Sequence, residues 1–108
     1  MATKILHGEP VGGGVVTGRV RVVINPRDAV TVEAGEIVVI PHSSPEYAIG
    51  VMQAAGLICE YGGVICHICT VAAELGIPCV TEVKGATALL STSMSVTLDG
   101  DNGIVYAA

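Results

Sequence analysis

The chain has 108 residues, 51% of them hydrophobic, with no Trp or Phe and three Tyr. That length suits one domain over residues 1–108, with an aliphatic core of Val, Ile, Leu and Ala and a bias toward strands. Five basic residues against ten acidic ones leave a net charge of −5. The basic residues form no block, which argues against nucleic acid and anionic membranes as partners.

No apolar run reaches membrane-spanning length. The N-terminal MATKILHGEP lacks a signal-peptide core, so a cytoplasmic location is expected. Residues 4–7 are a short apolar start. Gly8 to Gly14 reads as a turn-rich loop, with Gly12, Gly13 and Gly14 as turn or bulge glycines. No Lys-Ser/Thr follows to make a phosphate loop. Val15 to Ile24 reads as a half-buried strand with Arg19 and Arg21 on one face, ended by Asn25-Pro26. Arg27 to Glu33 is a polar connection with room for one helical turn. Ile37 to Ile40, four β-branched residues between Gly and Pro, predicts a buried central strand.

His42-Ser43-Ser44-Pro45-Glu46 is a helix start, with Ser44 as N-cap, Pro45 as first helical residue and Glu46 complementing the dipole. That helix is expected to run to about Ala55 and to end at Gly56. Leu57 to Glu60 then reads as a strand. Further strands are expected at Cys79–Val83 and Ser95–Leu98, with a short helix at Ala86–Leu90 between them. A turn at Asp99–Gly103 then leads into a last strand from Ile104 to Tyr106.

Between these lies EYGGVICHICTVAAELGIP, Glu60 to Pro78. Gly62 and Gly63 permit a tight turn or a close backbone approach. Ile68, Val71, Ala72 and Leu75 form one apolar helical face, closed by Gly76 as a left-handed cap and by Pro78. His67 therefore sits at a helix start, where unpaired N–H groups and the helix dipole favour an anion, phosphate above all. A neutral imidazole is also a nucleophile. The plain alternative is a histidine that caps the helix or satisfies a core hydrogen bond. Cys59, Cys66, Cys69 and Cys79 are expected to be free thiols serving as small buried hydrophobes. A metal- or thiol-dependent module built on Cys66, His67 and Cys69 is the competing reading, although no paired zinc-knuckle spacing supports it, and no metal ligand is assigned.

GGVICHICTVAAELGIPCV resembles the phosphohistidine segment of the mobile, swivelling domain of PEP-utilising enzymes, such as PEP synthase and pyruvate phosphate dikinase. Gly62, Gly63, His67, Ala72, Glu74, Gly76, Ile77, Pro78 and Val80 match that pattern, and the order of elements agrees over nearly the whole chain. Where the family carries a hydroxyl residue, a small residue and an arginine, this chain has Ile65, Ile68 and Ala73; a family Thr is Cys59. The resemblance implies an α/β fold, a compact three-layer β/β/α swivelling domain. It implies a stand-alone phosphohistidine carrier, the phosphotransferase component of a split enzyme. Its His67 would relay a phosphoryl group from a nucleotide- or PEP-binding partner to an acceptor such as pyruvate. Phosphate contacts are expected from Gly62, Gly63 and the amides of Cys66, Ile68 and Cys69. Glu60 and Glu74 are candidate ring-orienting groups, and His42, Ser43 and Ser44 candidate neighbours. The partners would be separate ATP-grasp-type and PEP/pyruvate-binding proteins, with Mg2+ belonging to them and no cofactor held by this chain. The alternative is a non-catalytic interaction domain that kept the fold and lost phosphotransfer.

Overall fold

The computed structural model describes residues 3–62 and 66–108. The described strands are β1 (Thr3–His7), β2 (Glu9–Gly12), β3 (Val15–Val22), β4 (Ile37–His42), β5 (Gly56–Tyr61), β6 (Cys79–Thr81), β7 (Ser95–Asp99) and β8 (Ile104–Ala107). The helices are α1 (Ala48–Gln53), α2 (His67–Leu75) and α3 (Ala86–Leu89). The strand order is β1-β8-β7-β3-β4-β5-β6-β2. β3, β4, β5 and β6 run parallel, while β1, β8, β7 and β3 form an antiparallel half.

The sheet curls until its halves face each other. Gly8 N–H donates to Gly103 O and Gly12 N–H to Gly100 O, each at 2.9 Å, so the β2 end meets the β7–β8 turn. Side chains alternate across a strand, and the central strands use both faces. Ile37 and Val39 of β4 and Ile58 of β5 fill the space between the sheet halves, with Val20, Val96, Leu98 and Val105. Val38, Ile40, Leu57 and Cys59 point the other way, toward Val51 of α1 and Ile68, Cys69 and Ala72 of α2. Antiparallel half, parallel half and helices thus make three layers. Two-sided burial is why the sequence there is continuously apolar rather than alternating.

The structure differs from the sequence reading in three elements. Residues 9–12 form a strand and not a loop, antiparallel to β6, with its register shift between Pro10 and Gly12. An edge strand tolerates proline because one side of it makes no ladder. The helix expected from Pro45 to Ala55 is a 3-10 turn over Pro45–Tyr47 followed by a six-residue α1. Gly56 is a strand residue, whose added Cβ would lie 3.0 Å from Leu98 Cδ2 and 3.1 Å from Val16 Cγ1. On α2 the buried stripe is Ile68, Cys69 and Ala72, while Leu75 is exposed. The helix is rotated toward Cys69, which puts Leu75 on the rim.

Candidate functional site

The site lies where the parallel strands β4 and β5 end and α2 begins. β4 and β5 pair through His42 and Tyr61 at their last residues. Loops leaving that edge bring Ser43 and Gly62 toward the start of α2. His67 is the first residue of α2 and is exposed. Ile68, next to it, is 0% exposed and anchors the turn in the core. Burying a side chain of that size contributes about 1.5–3 kcal/mol. Cys66 is the N-cap, and its Sγ accepts a hydrogen bond from Cys69 N–H at 3.3 Å. At the far end Gly76 takes φ 73° and caps the helix as the sequence predicts.

Two of the amides expected to hold phosphate, those of Ile68 and Cys69, already have weak protein partners. Ile68 N–H donates to Ser43 Oγ at 3.5 Å, and Cys69 N–H to the Cys66 sulfur. Ser43 is therefore brought to the helix start. His42 stacks edge-on with Tyr47, centroids 5.8 Å apart, and its Nδ1 lies 3.4 Å from Ser43 O. Ser44 is extended and its side chain makes no capping bond, contrary to the N-cap expectation.

Gly62 does not need a left-handed backbone, since its φ is not positive. It needs its small size: a Cβ there would lie 3.1 Å from Cys59 Sγ and 3.3 Å from Cys66 Sγ. Its N–H donates to Glu82 Oε1 at 2.8 Å. Sequence reasoning missed Glu82, which lies 20 residues downstream and carries a positive φ of 56°. Gly63, Val64 and Ile65 lie outside the described residues.

The two ring-orienting candidates are not brought to His67 in that role. Glu60 Oε1 accepts from Thr87 N–H at 2.8 Å and from Thr87 Oγ1 at 2.6 Å, so Glu60 caps α3 from across the fold. Glu74 is exposed in the last turn of α2. Seven residues of helix put it roughly 10 Å along the axis from His67.

All four cysteines are free and buried, as the sequence predicts. They belong to one core cluster beneath the helix start. Burial, then the neighbouring thiols, push the Cys59 thiol up to about 12. A hydrogen bond from Cys79, opposed by burial and aided by one from Cys66, draws Cys69 down to about 6. Burial pushes Cys66 up. Among the described residues, no three His, Cys, Asp or Glu side chains are arranged to hold a metal ion.

Fold and site together define a swivelling-type α/β domain that presents one exposed histidine at a helix N-terminus. Residues 32–103 match the family model described as PEP-utilising enzyme, mobile domain, and the chain belongs to that family. It is 36% identical over 102 residues to a probable phosphoenolpyruvate synthase of Archaeoglobus fulgidus, a match covering 94% of this chain and 14% of that protein. The chain therefore spans about a seventh of the length of that relative. Two solved structures share the fold. Aconitase X of Thermococcus kodakaraensis has a TM-score of 0.67 at 21% identity, covering 95% of this chain and 97% of that one. An Enzyme I structure (nEIt) has a TM-score of 0.62 at 24% identity, covering 72% of this chain and 32% of that one. No described helix is long and apolar enough to cross a membrane.

Proposed function

We propose that this domain carries a phosphoryl group on His67. It relays that group between a nucleotide- or PEP-binding site and an acceptor such as pyruvate, both supplied by ATP-grasp-type and PEP/pyruvate-binding partners. One observation carries the reading: an exposed imidazole at the first position of a helix whose next two amides are held, among the described residues, by a hydroxyl at 3.5 Å and a thiol at 3.3 Å. Charged phosphoryl oxygens make stronger hydrogen bonds than either group and would replace them. Family membership supports the same role.

The step is simple in outline. A neutral ring nitrogen of His67 attacks phosphorus, the P–O bond of the donor breaks, and the donor oxygen leaves with the electron pair. The amides of Ile68 and Cys69 and the helix dipole receive the oxygens of the new N-phosphoryl group. Ser43 Oγ, released from Ile68 N–H, is free to donate to one of them. The second transfer reverses these bonds onto the acceptor. Mg2+, in this proposal, stays with the partner sites.

The test is intact-mass spectrometry at alkaline pH after incubation with PEP, or with ATP and host lysate. The expected result is one acid-labile phosphate, absent in His67→Ala. A folded protein that takes no phosphate from any donor would favour the second reading, an interaction domain without phosphotransfer. The observation on that side is Ala73, exposed on α2 where family members carry arginine.

A further inference from the structure

The sulfurs flanking His67 do no work in the carrier reading. Cys66 and Cys69 form a Cys-X-X-Cys pair across the first turn of α2. Cys66 Sγ donates to Cys69 Sγ at 2.6 Å, and both thiols are free. A disulfide needs the sulfurs at about 2.05 Å, so closure asks for a shift of only some tenths of an ångström. The two thiols differ in access. Cys66 keeps 7% exposure beside the exposed His67, whereas Cys69 is 0% exposed behind it. Cys59 and Cys79 are both 0% exposed, and Cys79 reaches Cys69 through a side-chain hydrogen bond. Cys59 Sγ donates to Tyr61 O at 3.2 Å.

We propose that Cys66 and Cys69 are a redox-active dithiol, oxidised by hydroperoxides to an intramolecular disulfide that brackets His67.

The geometry supplies each part of the reaction. One proton is shared across the sulfur–sulfur contact, and the Cys69 N–H at the helix start stabilises charge on Cys66. The Cys66 sulfur attacks one oxygen of the peroxide and the O–O bond breaks. Cys66 becomes a sulfenic acid, and the leaving hydroxide takes the Cys66 proton, the one shared with Cys69, to form water. The Cys69 thiolate then attacks the Cys66 sulfur and the S–O bond breaks. The second hydroxide leaves, taking a proton from solvent. In sum, two thiols and one hydroperoxide give one disulfide and two waters, or water and an alcohol for an organic peroxide. Hydrogen bonds from Cys79 and Cys66 hold the resolving Cys69 thiol near 6 against the opposing effect of burial, so it is ionised at neutral pH for this second attack. The proposal does not depend on phosphate reaching His67, and its test reads sulfur alone.

The reduced protein is treated with stoichiometric hydrogen peroxide, unfolded, alkylated, and cleaved after glutamate. Cleavage at Glu60, Glu74 and Glu82 leaves Cys66 and Cys69 together in peptide 61–74, with Cys59 and Cys79 on separate peptides. The expected result is that alkylatable thiols fall from four to two and that peptide 61–74 loses two hydrogens. His67→Ala should give the same result. Cys69→Ser should instead leave Cys66 as sulfenic or sulfinic acid. Four alkylated thiols after peroxide, or a disulfide reaching Cys59 or Cys79, would overturn the proposal. Because the readout is taken on the wild-type chain, a misfolded variant cannot decide it. A disulfide without phosphorylation would leave this proposal standing and sink the carrier reading; phosphorylation without a disulfide would do the reverse.

Discussion

Glu60 separates a structural reading from a catalytic one. Its carboxylate accepts both the Thr87 N–H at 2.8 Å and the Thr87 hydroxyl at 2.6 Å. Gly85, the local N-cap of α3, has no side chain to offer. Glu60→Ala therefore removes the only side-chain cap that the described residues give this four-residue helix. Loss of a cap costs about 0.5–2 kcal/mol, and a hydrogen bond to a charged group contributes roughly 1.5–3 kcal/mol. Both residues are half-buried, so water recovers part of this, and we expect a net loss of about 1–2 kcal/mol. For a domain of this size that lowers the melting temperature by roughly 4–8 °C. Glu60→Gln keeps a neutral acceptor in place and should lose less than half as much. The assay pairs thermal unfolding followed by circular dichroism with phosphate occupancy on His67. Unchanged melting with abolished phosphorylation in Glu60→Ala would refute the reasoning and restore Glu60 as a ring-orienting group.

Three further outcomes follow from burial and charge. Thr81 is 0% exposed, and its hydroxyl lies near the Cys59 and Cys69 sulfurs without a hydrogen bond of regular geometry. Sulfur is a weak acceptor, so Thr81→Val should raise stability by about 1 kcal/mol; a fall on calorimetry would mean that the hydroxyl is bonded after all. Burial raises the Glu36 carboxyl, but hydrogen bonds from Arg21 and the Glu33 N–H, with the Arg21 and Arg19 charges, bring it below its ordinary 4.5. Its stabilisation is thus full above that value and lost as pH falls through the lower folded value. Melting of wild type minus Glu36→Gln should stay constant at neutral pH and shrink in acid; a difference that grows in acid would contradict the assignment. Gly62→Ala pushes a methyl against Cys59 and Cys66 Sγ at 3.1 and 3.3 Å and should cost about 1–2 kcal/mol in urea unfolding, where an unchanged midpoint would show that the turn relaxes freely.

The legible part of this molecule is the part written locally. Ile37 to Ile40 reads as a buried strand because its burial on both faces is set by its own side chains. The start of α2 at His67 and its end at Gly76 follow from local glycine and helix signals. β2 was invisible because a Pro- and Gly-rich stretch becomes a strand only when β6, almost seventy residues away, offers an edge. Glu60 looked like a site residue because it is near His67 in sequence, while its partner Thr87 is 27 residues off. Glu82 was missed for the same reason. The four cysteines were rightly read as buried. Their clustering beneath one helix turn depends on β5 and β6 lying side by side, which spacing alone does not reveal.

The helix start also carries a conflict between its two chemistries. A thiol held near 6 is mostly ionised above that pH, so Cys69 places a negative charge in the turn where the carrier reading puts a phosphoryl group. Two unit charges roughly 6 Å apart interact by about 3 kcal/mol at an effective dielectric of 20. His67 is exposed, and solvent screening brings this to about 1 kcal/mol. Removing the thiolate should therefore favour phosphate. At pH 8, with a fixed donor, Cys69→Ala should raise the equilibrium occupancy of His67 by roughly three- to tenfold, since about 1.4 kcal/mol is a factor of ten. The peroxide-treated wild type should shift the same way, because a disulfide is neutral. Circular dichroism melting guards against a packing defect from the lost sulfur. Lower occupancy in a Cys69→Ala protein of normal stability would mean that the thiol assists the phosphoryl group, and the electrostatic argument would fail.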